Sequence, residues 1–176
     1  MRRLLSVLLS LAFLAAFACA QDQEEPKRGP STPEERKRFV AIVNKFEKSP
    51  LDPGMIPEID WAQKWLEDIP DVNVTICPTP LGHLVLENYQ YRSRIGVQFT
   101  LAMGAFIIEH PQKASDTNSQ YKAGVESALR MYKAILKSKP EAKSKALEEL
   151  LDKQADGTLD EFIRQAGKMC EDTRAT

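Results

Sequence analysis

Residues 95–108 read IGVQFTLAMGAFII, fourteen residues that are apolar on every helical side apart from Gln98 and Thr100. A run of that length falls short of the roughly 20 residues that span a bilayer and fits a helix buried in a protein core. We read it as the second half of one long helix from about Leu84 to Glu109, ended by Pro111. Gly96, Thr100 and Gly104 recur at every fourth position, and such a small-residue stripe lets a neighbouring helix approach closely. The rest of the chain must supply the helices that surround this one.

Toward the C-terminus, QKASDTN (112–118) is a polar linker. A helix from about Ser119 to Lys137 follows, with Tyr121, Val125, Ala128, Leu129, Tyr132, Ile135 and Leu136 on one stripe. Ser138-Lys139-Pro140-Glu141 is expected to cap the next helix, which turns Leu147, Leu150 and Leu151 inward. A last helix runs from Thr158 to about Glu171, burying Leu159, Phe162, Ile163, Ala166 and Cys170.

Toward the N-terminus, Thr32-Pro33-Glu34-Glu35 combines a capping box with proline at the first helical position. Phe39, Ile42, Val43 and Phe46 then form one apolar face. Ser49-Pro50 and Asp52-Pro53-Gly54 turn the chain. A second helix from about Pro57 to Asp68 carries Ala62, Trp65, Leu66 and Ile69, with Trp61 one turn below Trp65, and Pro70 ends it. Asp71 to Pro80, DVNVTICPTP, alternates like a strand, but no second strand is legible to pair with it. An extended packed segment at 71–80 is therefore expected. The fold class that follows is all-α: a compact bundle of about six helices around the central apolar helix, in a single domain over 33–176.

The first twenty residues, MRRLLSVLLSLAFLAAFACA, have the form of a secretory signal peptide. Arg2 and Arg3 give the positive n-region, Leu4 to Phe17 the apolar core, and Ala18-Cys19-Ala20 the small-x-small cleavage pattern. Cleavage after Ala20 is expected, with lipidation at Cys19 the minor alternative, and the protein then is secreted or periplasmic. Residues 21–32 should be a flexible polar tail. Removing 1–20 takes away two arginines and moves the formal charge from −1 to −3. That balance excludes a generally basic nucleic-acid binder, so no nucleic-acid partner is expected. After signal removal nothing should be embedded in a membrane. Cys77 and Cys170 remain, an even number outside the cytosol, and are expected to form a disulfide. Asn73-Val74-Thr75 is a glycosylation sequon, relevant in a eukaryotic source.

Asp152, Asp156, Gly157 and Asp160 resemble the middle of an EF-hand loop. The third position is Gln154 and the twelfth, where calcium requires a bidentate glutamate, is Ile163. A left-handed helix cap at Gly157 and a capping box from Thr158 to Glu161 explain the same residues without metal. Ala128, Tyr132, Leu136 and Pro140 are similar in spacing to the second helix of a tetratricopeptide repeat, but no 34-residue period recurs. No GxSxG, HExxH or phosphate-loop motif is present, and no metal or other cofactor is implied.

The segment Tyr89-Gln90-Tyr91-Arg92-Ser93-Arg94 is the best candidate for binding, since tyrosines offer stacking faces and arginines clamp anions. On a helix, Tyr91 and Arg94 share one face and Tyr89 and Arg92 another, and the latter pair is expected to be the more exposed. The leading expectation is a non-catalytic exported domain that binds a protein partner or serves a structural role in the envelope. One alternative is a small-ligand carrier with an apolar cavity around residues 95–108, fixed by Tyr91, Arg92 or Gln98. The other is a hydrolase using a carboxylate with His83 or His110.

Overall fold

The computed structural model describes residues 28–174, and among them it contains six α-helices and no strand. They are α1 (Pro33–Lys48), α2 (Ile56–Asp68), α3 (Arg92–Glu109), α4 (Thr117–Ser138), α5 (Lys145–Ala155) and α6 (Leu159–Arg174). Short 3-10 turns occur at Pro53–Met55, Thr79–Leu86 and Pro111–Lys113. The signal peptide and residues 21–27 of the expected tail lie outside the described residues.

Local sequence accounts for most element ends. The Thr32 hydroxyl accepts from the Glu35 N–H (3.2 Å) while the Glu35 carboxylate accepts from the Thr32 N–H (2.9 Å), the reciprocal capping box. Phe39, Ile42, Val43 and Phe46 are all buried. Phe39 packs on Trp65 with ring centroids 4.7 Å apart, and Trp61 stacks on Trp65 at 5.9 Å under the Arg38 guanidinium. Gly157 has φ +72° and closes α5 in a Schellman motif, with Thr158 N–H donating to Lys153 C=O and Gly157 N–H to Gln154 C=O. Glu161, expected to complete a capping box with Thr158, is taken by Arg164 and by Gln165 (2.8 Å).

The largest helix pair is α3 on α4. Its close approach is made by Gly124 of α4, where a Cβ would stand 2.8 Å from the Phe99 carbonyl oxygen. The small-residue stripe expected on α3 divides: Gly104 is pressed by Phe39 and Leu66, while Gly96 has nothing within 4 Å of a notional Cβ. Buried Gln98 ties three helices together. Its amide donates to Ser127 Oγ (2.7 Å) and Val43 C=O (3.3 Å), and Ser127 passes a hydrogen bond to Glu47 (2.6 Å). The relay satisfies the Gln98 N–H groups, while its buried Oε1 has no partner among the described residues.

Two helix starts differ from expectation. The central helix begins at Arg92, not near Leu84. Thr79–Leu86 is 3-10, broken by Gly82 at φ +60°, and Glu87 is extended. The reason lies in the partner of Glu87. Its carboxylate accepts from Ser144 Oγ (2.7 Å), Lys145 N–H (2.9 Å) and Ala146 N–H (3.2 Å), so it caps α5. Likewise Ser138–Glu141 does not cap α5. The N-cap is Ser144, whose Oγ accepts from Leu147 N–H (3.3 Å) and whose own N–H donates to the Tyr132 hydroxyl (3.0 Å). Ala142 and Ser144 are buried against the bundle, and the helix starts six positions later than expected, with its N-cap at Ser144 and not Ser138.

The extended segment expected at 71–80 is found over 72–77, and Thr79 and Pro80 instead enter the 3-10 stretch. Residues 72–77 have no regular secondary structure, and among the described residues their backbones make no hydrogen bond. Val72 is buried and Ile76 is 71% exposed. A Cys77–Cys170 disulfide, with Cα atoms 6.1 Å apart, ties this segment to α6.

Candidate functional site

The segment expected to bind is built as a fastening. Arg92 is the first residue of α3, so Tyr89 to Tyr91 lie in a turn, closed by Arg92 N–H donating to Tyr89 C=O (3.0 Å). Helical spacing therefore does not apply to Tyr89. It is only 7% exposed, not the exposed partner of Arg92, and its ring meets Tyr91 and Tyr132 edge-on. Burial pushes its phenol pKa up, and its hydroxyl has no partner among the described residues. Arg92 is exposed, and its guanidinium donates to the carbonyls of Val85 (3.1 Å) and Glu87 (3.3 Å). Arg94 donates to Pro50 C=O (2.9 Å). Tyr91 is half-buried at the core margin.

The open flank of α3 lies elsewhere. A groove of about 500 Å³ is bounded by α2, by the extended residues after it and by one face of α3. Its apolar bed includes Leu66, Ile69, Val72 and Leu101, all buried. Gln63, Glu67, Asn73 and Ser93 supply polar groups around it, and Gly96 and Thr100 leave room between the walls. The Gly96/Thr100 spacing was the sequence signal for this site, but it reads equally as a helix-packing stripe. Gln98 takes no part, since its amide is turned toward α1 and α4.

The histidines have separate surroundings. His83 is exposed on the 79–86 turn, with Nδ1 3.9 Å from Glu149. His110 ends α3, where its Nδ1 lies 3.2 Å from Phe106 C=O and its ring stacks on Phe106 at 4.6 Å. They line different surface concavities. Among the described residues no three histidine, cysteine or acidic side chains are placed to hold a metal ion. No helix of the described residues is long and apolar enough to cross a membrane.

Elsewhere, carboxylates do structural work. Burial alone would raise the Asp71 pKa, but hydrogen bonds from Ser31 N–H and Oγ and from Arg36 outweigh it and hold the carboxyl below its ordinary range. At Glu87 burial is likewise outweighed, by Ser144 and the N–H groups of Ala146 and Lys145. Tyr132, buried and donating to Glu148 (2.5 Å), has its phenol pKa pushed up to about 12. Comparison with protein-family models, with curated proteins and with solved structures finds no match to this chain.

Proposed function

We propose that this protein is an exported, non-catalytic binding domain, and that the groove between α2, the 69–76 segment and α3 is where it binds a small, mainly apolar ligand. The observation that carries this reading is the groove itself. At about 500 Å³ it falls within the range of small-molecule sites, roughly 300–1,000 Å³, with an apolar bed and a few polar groups. The signal-like N-terminus and the disulfide support export.

Gly96→Leu separates binding from folding. The added side chain enters open groove, and replacing a mid-helix glycine favours the helix by up to about 1 kcal/mol. Native mass spectrometry of the protein from its source should show a bound small molecule, and titration with anilinonaphthalene sulfonate should show saturable binding. Both should be lost in Gly96→Leu while thermal stability holds. A stable variant that binds as before sinks the reading.

A second reading, a partner protein in the same groove, is favoured by the 72–77 backbone. Six extended residues, exposed Ile76 among them, make no backbone hydrogen bond among the described residues and offer an edge to which a partner strand can add. Strand addition would slow amide exchange at 72–77, whereas a small ligand would leave those amides exchanging.

A further inference from the structure

Lys48 of α1 and Arg130, Lys133 and Lys137 of α4 line an open concavity of about 460 Å³, near the last turns of both helices. Its charge does not balance. The one carboxylate there, Glu47, is already occupied: Arg130 donates to both its oxygens (2.8 and 2.9 Å) and Ser127 adds a third bond (2.6 Å). Lys48, Lys133 and Lys137 are exposed, and none has an ion-pair partner among the described residues. This happens in a chain whose acids outnumber its bases.

The ordinary explanation is that lysines near helix C-termini answer the helix dipole. Magnitudes show that this is insufficient. Two helix ends supply about one negative charge in total, at roughly half a charge each, against three lysine charges. About two positive charges remain. Lys133 and Lys137, four residues apart on one helix, also repel each other.

We propose that this concavity binds a compact, soluble polyanion carrying two or more phosphate groups. Successive lysines about 6 Å apart along α4, with a third from α1, reach several anionic groups better than one. Among the described residues that line the concavity the one guanidinium, Arg130, is committed to Glu47, so no free planar fork is left there to favour a carboxylate. The lysine ammoniums are mobile point charges that suit phosphate oxygens. The volume suits a small molecule. This site shares no residue with the groove on α3, so either proposal stands without the other.

Calorimetric titration of the full chain with inorganic tripolyphosphate at low ionic strength tests the proposal. We expect one saturable site whose affinity falls steeply with added salt. Lys133→Glu should weaken it about tenfold or more. That substitution puts an acid four residues before Lys137, the favoured order on a helix, so folding should be retained. Lys143→Glu changes the net charge equally at an exposed position outside the concavity, and should alter affinity by less than about twofold. Equal losses in both variants would show a response to net charge only and overturn the site. So would the absence of saturable binding, or attachment to phosphatidylglycerol vesicles with no binding of tripolyphosphate.

Discussion

The α3–α4 seam and the chain from Val72 to Tyr91 border the same core, yet they are held by different means. In the seam, regular backbone hydrogen bonds and close packing are sufficient: Gly124 lets α4 sit against the Phe99 backbone, and Gln98 joins Ser127 across it. From Val72 to Tyr91 there is no α-helix, and over 72–77 no backbone hydrogen bond among the described residues. That region also packs Val72, Leu81, Leu84 and Tyr89 into the core, and to this it adds discrete ties, namely the Cys77–Cys170 disulfide, the Glu87 carboxylate on the start of α5, and the Arg92 guanidinium on two carbonyls. A close-packed interface distributes its stability over many contacts, whereas the 72–77 stretch, with Ile76 exposed, depends more on a few replaceable ties. The groove proposed for binding has one wall from each kind of structure, a helix facing a tied strap, which is an arrangement in which the strap can yield to a ligand.

The largest expected effect tests the ties. Cys170→Ala opens a loop spanning 93 positions and should lower the unfolding free energy by about 4–5 kcal/mol in the chain-entropy description. Amide exchange should quicken first over 72–91. If the α3–α4 amides loosen equally and at once, the two regions are one cooperative unit and the distinction fails.

Gly124→Ala tests the seam. The new methyl would meet the Phe99 carbonyl at 2.8 Å, and backbone there has no rotamer to escape to. A loss of about 3 kcal/mol is expected in denaturant unfolding, the upper end for overpacking. A neutral result would mean that the helices slide apart freely, so that the seam is no tighter than the strap.

Glu87→Gln retains the shape but removes the charge from three hydrogen bonds at the α5 N-terminus, at a cost of about 1–2 kcal/mol. The pH dependence has a definite sign. Glu87 and Asp71 have folded pKa values lowered from 4.5 and 3.8, so each stabilises the fold above those values and loses that contribution as pH falls through its folded pKa. Stability should therefore decline on the acid side of about pH 4.5, and less steeply in Glu87→Gln. An unchanged acid limb would show that Glu87 is not the tie that its geometry indicates.

The smallest effect belongs to Arg92→Ala, which removes two exposed hydrogen bonds to carbonyls and should cost about 0.5 kcal/mol. Its informative readout is local. Faster exchange confined to 85–91 sharpens the picture of Arg92 as a clip on the turn, and a loss of several kcal/mol would make it a core residue instead.

Elements with a continuous 3.6-residue pattern were readable because their boundaries are local chemistry. Thr32 and Glu35 cap α1 through side chains three residues apart, and Pro70 ends the second helical stretch. The errors cluster where a residue serves a distant partner. Leu84 to Tyr91 carries enough apolar residues for helix, but Glu87 is claimed by Ser144, 57 positions away. With helix lost there, the angle that put Tyr89 on an exposed face lost its meaning. The groove was hidden for a related reason: Gly96 and Gly104 have the same sequence signature, and one meets Phe39 and Leu66 while the other meets open space.

The amino-acid sequence was sufficient for the helical class, the burial of Phe39, Trp65, Ile95 and Tyr132, the unpaired extended segment and the cysteine pair. Those follow from periodicity, caps and parity, which act over a few residues or need only a count. Where α3 begins, which flank of it stays open, how Glu87 is used and which lysines face one another across α1 and α4 were settled by the folded chain. Each depends on the distance between residues tens of positions apart, and that distance is set by how the helices pack against each other.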